Sequence, residues 1–148
     1  MEKYMMTAYI EAKKAFAEEE VPVGAVIVCK GKIISKAYNQ REVTQDPTAH
    51  AEILAIKEAS KKLKSWRLNE CDIYVTKEPC PMCAGAIFQA RLAKLIFGCS
   101  DKKAGYAGSL INVLQDQRLN WQTEVVSGVM EKENRALLQE FFKSKRKK

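Results

Sequence analysis

Short runs of strand-forming residues alternate with helical stretches along this chain, and that alternation restricts its fold more than any other feature. Residues 2–18 carry Met5, Ala8, Tyr9, Ala12, Ala15 and Phe16 at helical spacing, an amphipathic stripe closed by Glu18-Glu19-Glu20 and Pro22. Residues 23–28 and 33–38 are two β-rich runs, and Lys30-Gly31 between them predicts a hairpin turn. Residues 39–45 are polar and read as a loop. Asp46-Pro47 predicts a helix start, with Asp46 as N-cap and Pro47 in the first position, and the helix runs to about residue 64. A third strand is expected at 71–76, a small-residue helix at 79–91, and further strands at 94–98 and 123–127. The last helix begins near Val129 and sets Met130, Asn134, Leu137, Leu138 and Phe141 on one stripe. No repeat and no Gly/Ser linker interrupts this order. The expectation is one α/β domain over residues 1–148, a sheet of about five strands with helices on both faces.

Composition supports that expectation. A chain of 148 residues, 47% apolar, buries roughly 68–70% of its unfolded surface and can form a core without disulfide staples. The 7 glycines and 4 prolines exclude collagen-like and low-complexity classes. Residues 21–29 are the longest apolar stretch and contain Pro22 and Gly24, far short of the roughly 20 residues that span a membrane. The N-terminus shows no secretory apolar core, and five cysteines are an odd number. Reduced thiols in a cytoplasm are therefore expected rather than a disulfide framework. The net charge is +7, and Lys143, Lys145, Arg146, Lys147 and Lys148 supply most of it. Such a cluster is either a solvated tail or a phosphate-binding arm.

The chemistry concentrates in two short motifs. The single histidine, His50, stands in His50-Ala51-Glu52 at the entrance of one helix, and Pro79-Cys80-Pro81-Met82-Cys83 opens another. Cys80 and Cys83, at i and i+3, lie on one helical face and can share a metal. Their first-turn position favours thiolate. One His and two Cys offer Zn²⁺ three protein ligands and leave a fourth position for water, the pattern of a catalytic rather than a structural site. Glu52 then has work as a carboxylate that takes a proton from that water and passes it on. Residues two apart do not share a face of a regular helix. His50 is therefore expected within the first turn, with Glu52 in reach of the water. Other readings stay open at this level. Cys-x-x-Cys after a strand also fits a redox pair, which leaves Pro79 and the His-x-Glu unexplained. A fourth thiolate from Cys29, Cys71 or Cys99 would close the site, but each falls in or at the end of a strand, where a buried apolar role is expected.

His-x-Glu followed by Pro-Cys-x-x-Cys is the zinc deaminase signature. Further matches extend it: Val21-Pro22-Val23-Gly24-Ala25, Asn39, Asp46-Pro47-Thr48-Ala49-His50-Ala51-Glu52, residues 78–87, Gly108-Ser109-Leu110, and Phe141-Phe142 before the basic end. Together they resemble the bacterial tRNA-specific adenosine deaminases of the cytidine/deoxycytidylate deaminase superfamily, over nearly the whole chain. The resemblance implies a three-layer α/β/α cytidine-deaminase-like fold, a mixed sheet of about five strands with helices on both faces. It implies hydrolytic deamination of adenosine to inosine at the wobble position of an arginine tRNA anticodon, by zinc-activated water.

Residue by residue, the resemblance implies that His50, Cys80 and Cys83 bind Zn²⁺. Glu52 is then the proton shuttle, passing a proton toward N1 of the purine and later to the departing amine. Asn39 hydrogen-bonds the flipped base, Val23 lines the purine pocket, and Asp101 accepts from a ribose 2′-OH. Phe142 stacks on a base while Phe141 belongs to the core, and Lys143, Lys145 and Arg146, with the two lysines beyond, meet phosphates. Family members are homodimers, and Ala84, Gly85 and Ala86 permit close helix packing, whether inside one subunit or between two. Tyr106 stands where a small residue is expected, and residues 40–45 match no family pattern.

Two alternatives accompany this reading. A deaminase of a free base or nucleoside, of the guanine or cytosine type, would use the same zinc machinery and have no need of the basic end. A non-catalytic zinc module that binds nucleic acid would need a fourth ligand and leave Glu52 idle.

Overall fold

A computed structural model describes residues 1–146 and shows a five-stranded sheet between two layers of helices. In chain order the elements are α1 (Glu2–Ala17), β1 (Gly24–Cys29), β2 (Lys32–Tyr38), the single turn α2 (Arg41–Thr44), α3 (Ala51–Leu63), β3 (Cys71–Lys77), α4 (Pro81–Gln89), β4 (Lys94–Cys99), a 3₁₀ turn (Val113–Gln115), β5 (Glu124–Val126) and α5 (Glu131–Arg146). The strands lie in the order β2-β1-β3-β4-β5. β1 runs antiparallel to β2 and β3, whereas β3, β4 and β5 are parallel. The sheet has the expected five strands with helices on both faces, and it is mixed, as the resemblance implied.

The hairpin between β1 and β2 turns on Lys30 and Gly31, both at positive φ (52° and 78°), the backbone hand that matches strand twist in a two-residue loop. Alternation along β1 sorts its side chains between two cores. Ala25 and Ile27 join Ile73 and Val75 of β3, Ala51, Ala55 and Ala59 of α3, and Ile87 of α4. Val26 and Val28 join Tyr74, Ile96, and Met5 and Ala8 of α1. Period-two strands facing helical stripes on both sides produce the three layers. α5 docks through Asn134, Leu137, Leu138 and Phe141, all buried, as its stripe predicted. No helix among the described residues is long and apolar enough to cross a membrane.

Two expectations are corrected. Asp46-Pro47 does not start α3. The Asp46 carboxylate accepts hydrogen bonds from the Thr48 backbone N–H (2.8 Å) and hydroxyl (2.7 Å), an Asx turn that satisfies it locally. The chain turns at Pro47 and Thr48, closed by the Ala49 N–H on the Asp46 carbonyl (3.1 Å), and α3 starts only after His50, whose φ of −80° and ψ of 150° make it the N-cap. The expected loop at 39–45 contains the one-turn helix α2, which buries no residue of its own. Of the five basic residues at the C-terminus, Lys147 and Lys148 lie outside the described residues.

Candidate active site

The N-termini of α3 and α4 meet on one side of the sheet. His50 caps α3, Cys80 caps α4 with Pro81 in the first position, and Cys83 sits one turn in. His50 Nδ1 lies 3.4 Å from Cys83 Sγ and 3.7 Å from Cys80 Sγ. One ligand atom from each of the three falls within 4.8 Å of the others, a group able to hold a metal ion, and among the described residues no fourth ligand joins it. Cys71 and Cys99 are buried in β3 and β4, and Cys29 is half-buried at the end of β1.

The electrostatics follow from this crowding. The Cys83 thiol and the His50 ring both hydrogen-bond the Cys80 sulfur, against the opposing effect of burial, and hold its pKa down at about 4. That lowering favours the thiolate, the metal-binding form. Cys83 is pushed up because it donates to Cys80 and lies buried beside Glu52. The hydrogen bond to Cys80 raises His50. Glu52, in the first turn of α3, is buried, and that burial raises its carboxyl above the usual range. It lines the same pocket as His50 and Cys80, and its carboxyl is electrostatically linked to all three candidate ligands. His50 in the cap and Glu52 in the first turn can both face one point because the cap residue is not yet helical.

His50, Glu52 and Cys80 form the floor of a pocket of about 350 Å³, with Cys83 buried behind them, and its walls include Val23, Asn39, Arg41, Asp101 and Phe142. The sequence matches the MafB19-like deaminase family over residues 1–146. The chain belongs to that deaminase family. It is 53% identical over 147 residues to the tRNA-specific adenosine deaminase of Bacillus subtilis (strain 168), covering 99% of this chain and 91% of that one. A solved structure from studies of A-to-I editing by tRNA:A34 deaminases at the wobble position of transfer RNA superposes with a TM-score of 0.88 at 38% identity, over 91% of this chain and 98% of that one. A guanine deaminase structure from Bacillus subtilis is 40% identical, with a TM-score of 0.67 over 72% of this chain and 69% of that one.

The walls of this deaminase's pocket are built from distant parts of the chain. Asn39 is buried, and its Oδ1 accepts the Ala51 N–H at 2.8 Å. It thereby satisfies one of the free donors at the start of α3. Its Nδ2 has no acceptor among the described residues. Val23 is buried beside it. Asp101 is engaged from three directions: Lys77 Nζ at 3.1 Å, and the N–H groups of Lys103 and Ala104 at 3.0 and 3.2 Å. Burial acts to raise its pKa, and these donors more than offset that, so the carboxyl sits below the usual range.

Phe142 is 44% exposed where Phe141 is 5% exposed. Phe141 packs edge-on to Phe16, and Phe142 edge-on to Phe141. Lys145 and Arg146 line a neighbouring groove of about 810 Å³ that shares Lys77, Asp101 and Phe142 with the pocket. Lys145 also pairs with Glu19 at 3.7 Å. Lys143 and Tyr106 line neither cavity.

Sequence reasoning missed Arg41, Lys77 and Glu20, and gave Glu78, at the head of the matched 78–87 stretch, no role of its own. Arg41 lies at the pocket in a segment without a motif. Glu20 is buried and accepts the N–H groups of Glu42 (3.1 Å) and Val43 (2.8 Å), fastening α2. Its place at the end of the Glu18-Glu19-Glu20 run gave no sign in the sequence that it, rather than its neighbours, is buried.

Proposed function

We propose that the chain acts as one zinc-dependent domain that hydrolyses adenosine to inosine at the wobble position of a tRNA anticodon. The observation that carries the reaction is the Glu52 carboxyl, buried against a His-Cys-Cys group at the floor of an open pocket. The choice of substrate rests on the near-complete likeness to tRNA-specific adenosine deaminases. The likeness to guanine deaminase supports free-base deamination as a second reading, over a smaller share of both chains.

The donor set fits zinc. A tetrahedral ion with Zn–N of about 2.0–2.1 Å and Zn–S of about 2.3 Å holds N and S about 3.6 Å apart, and the observed separations of 3.4 and 3.7 Å bracket that value. His50, Cys80 and Cys83 would hold it, and three ligands leave one position open. Bound there, zinc supplies a water whose proton comes off near neutral pH.

The chain's own residues do the rest. Glu52 takes a proton from the attacking water and delivers it to N1 of the purine. It then takes the second proton from the new C6 hydroxyl and gives it to the C6 amine, so that a C6–O bond replaces the C6–N bond and ammonia leaves. Asn39 offers its Nδ2 to the base, and Val23 packs on the ring. Asp101 accepts a ribose hydroxyl with a lone pair not used by Lys77. Phe142 stacks on a neighbouring base, and Lys143, Lys145 and Arg146 meet phosphates. An arginine tRNA as substrate and a homodimer as the working form belong to the same reading.

The test is mass spectrometry of digested product after incubation of zinc-loaded protein with four substrates: a wobble-adenosine anticodon stem-loop, free adenosine, guanine and cytidine. Inosine from the stem-loop alone is the expected result. Turnover of guanine or a nucleoside with the RNA untouched would transfer the same chemistry to the second reading.

A further inference from the structure

Glu78 lies between β3 and the Pro79-Cys80 pair, and nothing in the deamination chemistry uses it. Its side chain is 2% exposed. Oε1 accepts the Asp101 N–H at 3.0 Å and the Ser109 hydroxyl, and Oε2 accepts the N–H groups of Ala107 (3.0 Å) and Ser109 (2.9 Å). No cation pairs with it among the described residues. A buried carboxylate is costly unless its lone pairs are filled, and here a single loop fills them with four donors. The loop is shaped to do so. A Cβ on Gly105 would fall inside contact distance of the Glu78 carboxylate, so only glycine lets the backbone close around it. The Tyr106 N–H bonds the Pro79 carbonyl at 2.9 Å, one residue from Cys80.

The loop so held provides Asp101 and Ala104 to the pocket wall, and Glu78 itself reaches that wall. Asp101 is gripped twice, by Lys77 at its side chain and by Glu78 at its backbone. We infer that Glu78 is a positioning residue for substrate binding, which holds the 101–109 wall at a set distance from the helix that carries Cys80 and Cys83. This deepens the proposed function and rests on it, since the wall is the one assigned to the ribose side of the nucleotide.

Glu78→Gln tests the inference, because an amide presents N–H groups to two of the four donors while keeping the shape. Charge-assisted hydrogen bonds are among the stronger ones, so KM for the anticodon stem-loop should rise about tenfold or more, with kcat within about threefold. Metal content should stay at the wild-type level. Amide hydrogen exchange at Asp101, Ala107 and Ser109 should quicken while α3 and α4 keep their protection. Ser109→Ala should raise KM less, and should add nothing in the Glu78→Gln background. An unchanged KM with unchanged exchange would overturn the inference. So would lost metal and lost kcat at wild-type KM, which would assign Glu78 to the metal helix instead. If Glu78→Gln fails to fold, Ser109→Ala decides by the same two readouts. If the wild-type protein leaves the stem-loop untouched, the proposed function fails, and the exchange comparison still judges the clamp.

Discussion

The floor of the pocket and its walls are held by different physics. The floor sits on two helix N-termini whose helices are locked in the core, with Ala51 and Ala55 of α3 and Ile87 of α4 fully buried. Its reactive atoms therefore inherit the rigidity of close packing. Two wall segments, α2 and residues 101–109, have little apolar anchorage, with Ala107 the one buried apolar side chain between them. α2 buries nothing, and Val43 is 60% exposed. Each wall is fastened instead by one buried carboxylate reaching in from elsewhere, Glu20 with two backbone N–H groups and Glu78 with three and a hydroxyl. A rigid floor suits chemistry that fails when atoms move by an ångström. Walls held by a few polar contacts let the substrate surface vary without disturbing the metal group.

The contrast makes separable predictions. Glu52→Gln should have the largest effect, lowering kcat by about 10²–10⁴-fold or more as a proton carrier is lost. RNA affinity by titration and metal content by atomic emission should be unchanged. Retained turnover would remove the floor from the chemistry.

Phe141 and Phe142 come next, because adjacent residues on α5 fall on opposite sides of the division. Phe141→Ala should cost about 3–5 kcal/mol of stability in denaturant unfolding, as for other buried aromatics. Phe142→Ala should leave stability nearly untouched and weaken RNA binding by about 1–3 kcal/mol, the value of one stacked base. Equal stability losses would place both in the core.

The smallest effect is expected for Glu20→Gln, which should raise KM by about threefold with kcat held, less than Glu78→Gln because fewer donors lose their acceptor. A larger rise than that of Glu78→Gln would reverse the ranking of the two walls.

The floor was legible because its ligands lie in contiguous motifs, and helix geometry converts i, i+3 spacing into a shared face. The start of α3 was misread for a local reason. Asp46-Pro47 has the composition of a helix start, but Thr48 captures the Asp46 carboxylate first. The acceptor that serves the true N-terminus comes from Asn39, on the far side of α2. Asn39 was assigned to the substrate from the resemblance, and its second role in holding the helix of Glu52 left no trace in spacing. The walls were illegible because the partners of Glu20 and Glu78 are backbone amides 22 to 31 residues away. Every residue but proline has an amide N–H, so no side-chain pattern announces which of them a buried acid will collect.

The sequence by itself determined the layered α/β architecture, the three candidate ligands with their carboxylate, and the division of Phe141 from Phe142. These follow from periodicity and motif spacing, which are properties of local chain geometry. Only the tertiary structure decided that Arg41, Lys77 and Glu78 reach the same pocket, that Asp101 is already held by Lys77, and that Lys145 pairs with Glu19 beside α5. Those contacts depend on where the sheet order β2-β1-β3-β4-β5 brings strand ends together, and long-range proximity of that kind is not written in the spacing of any one segment.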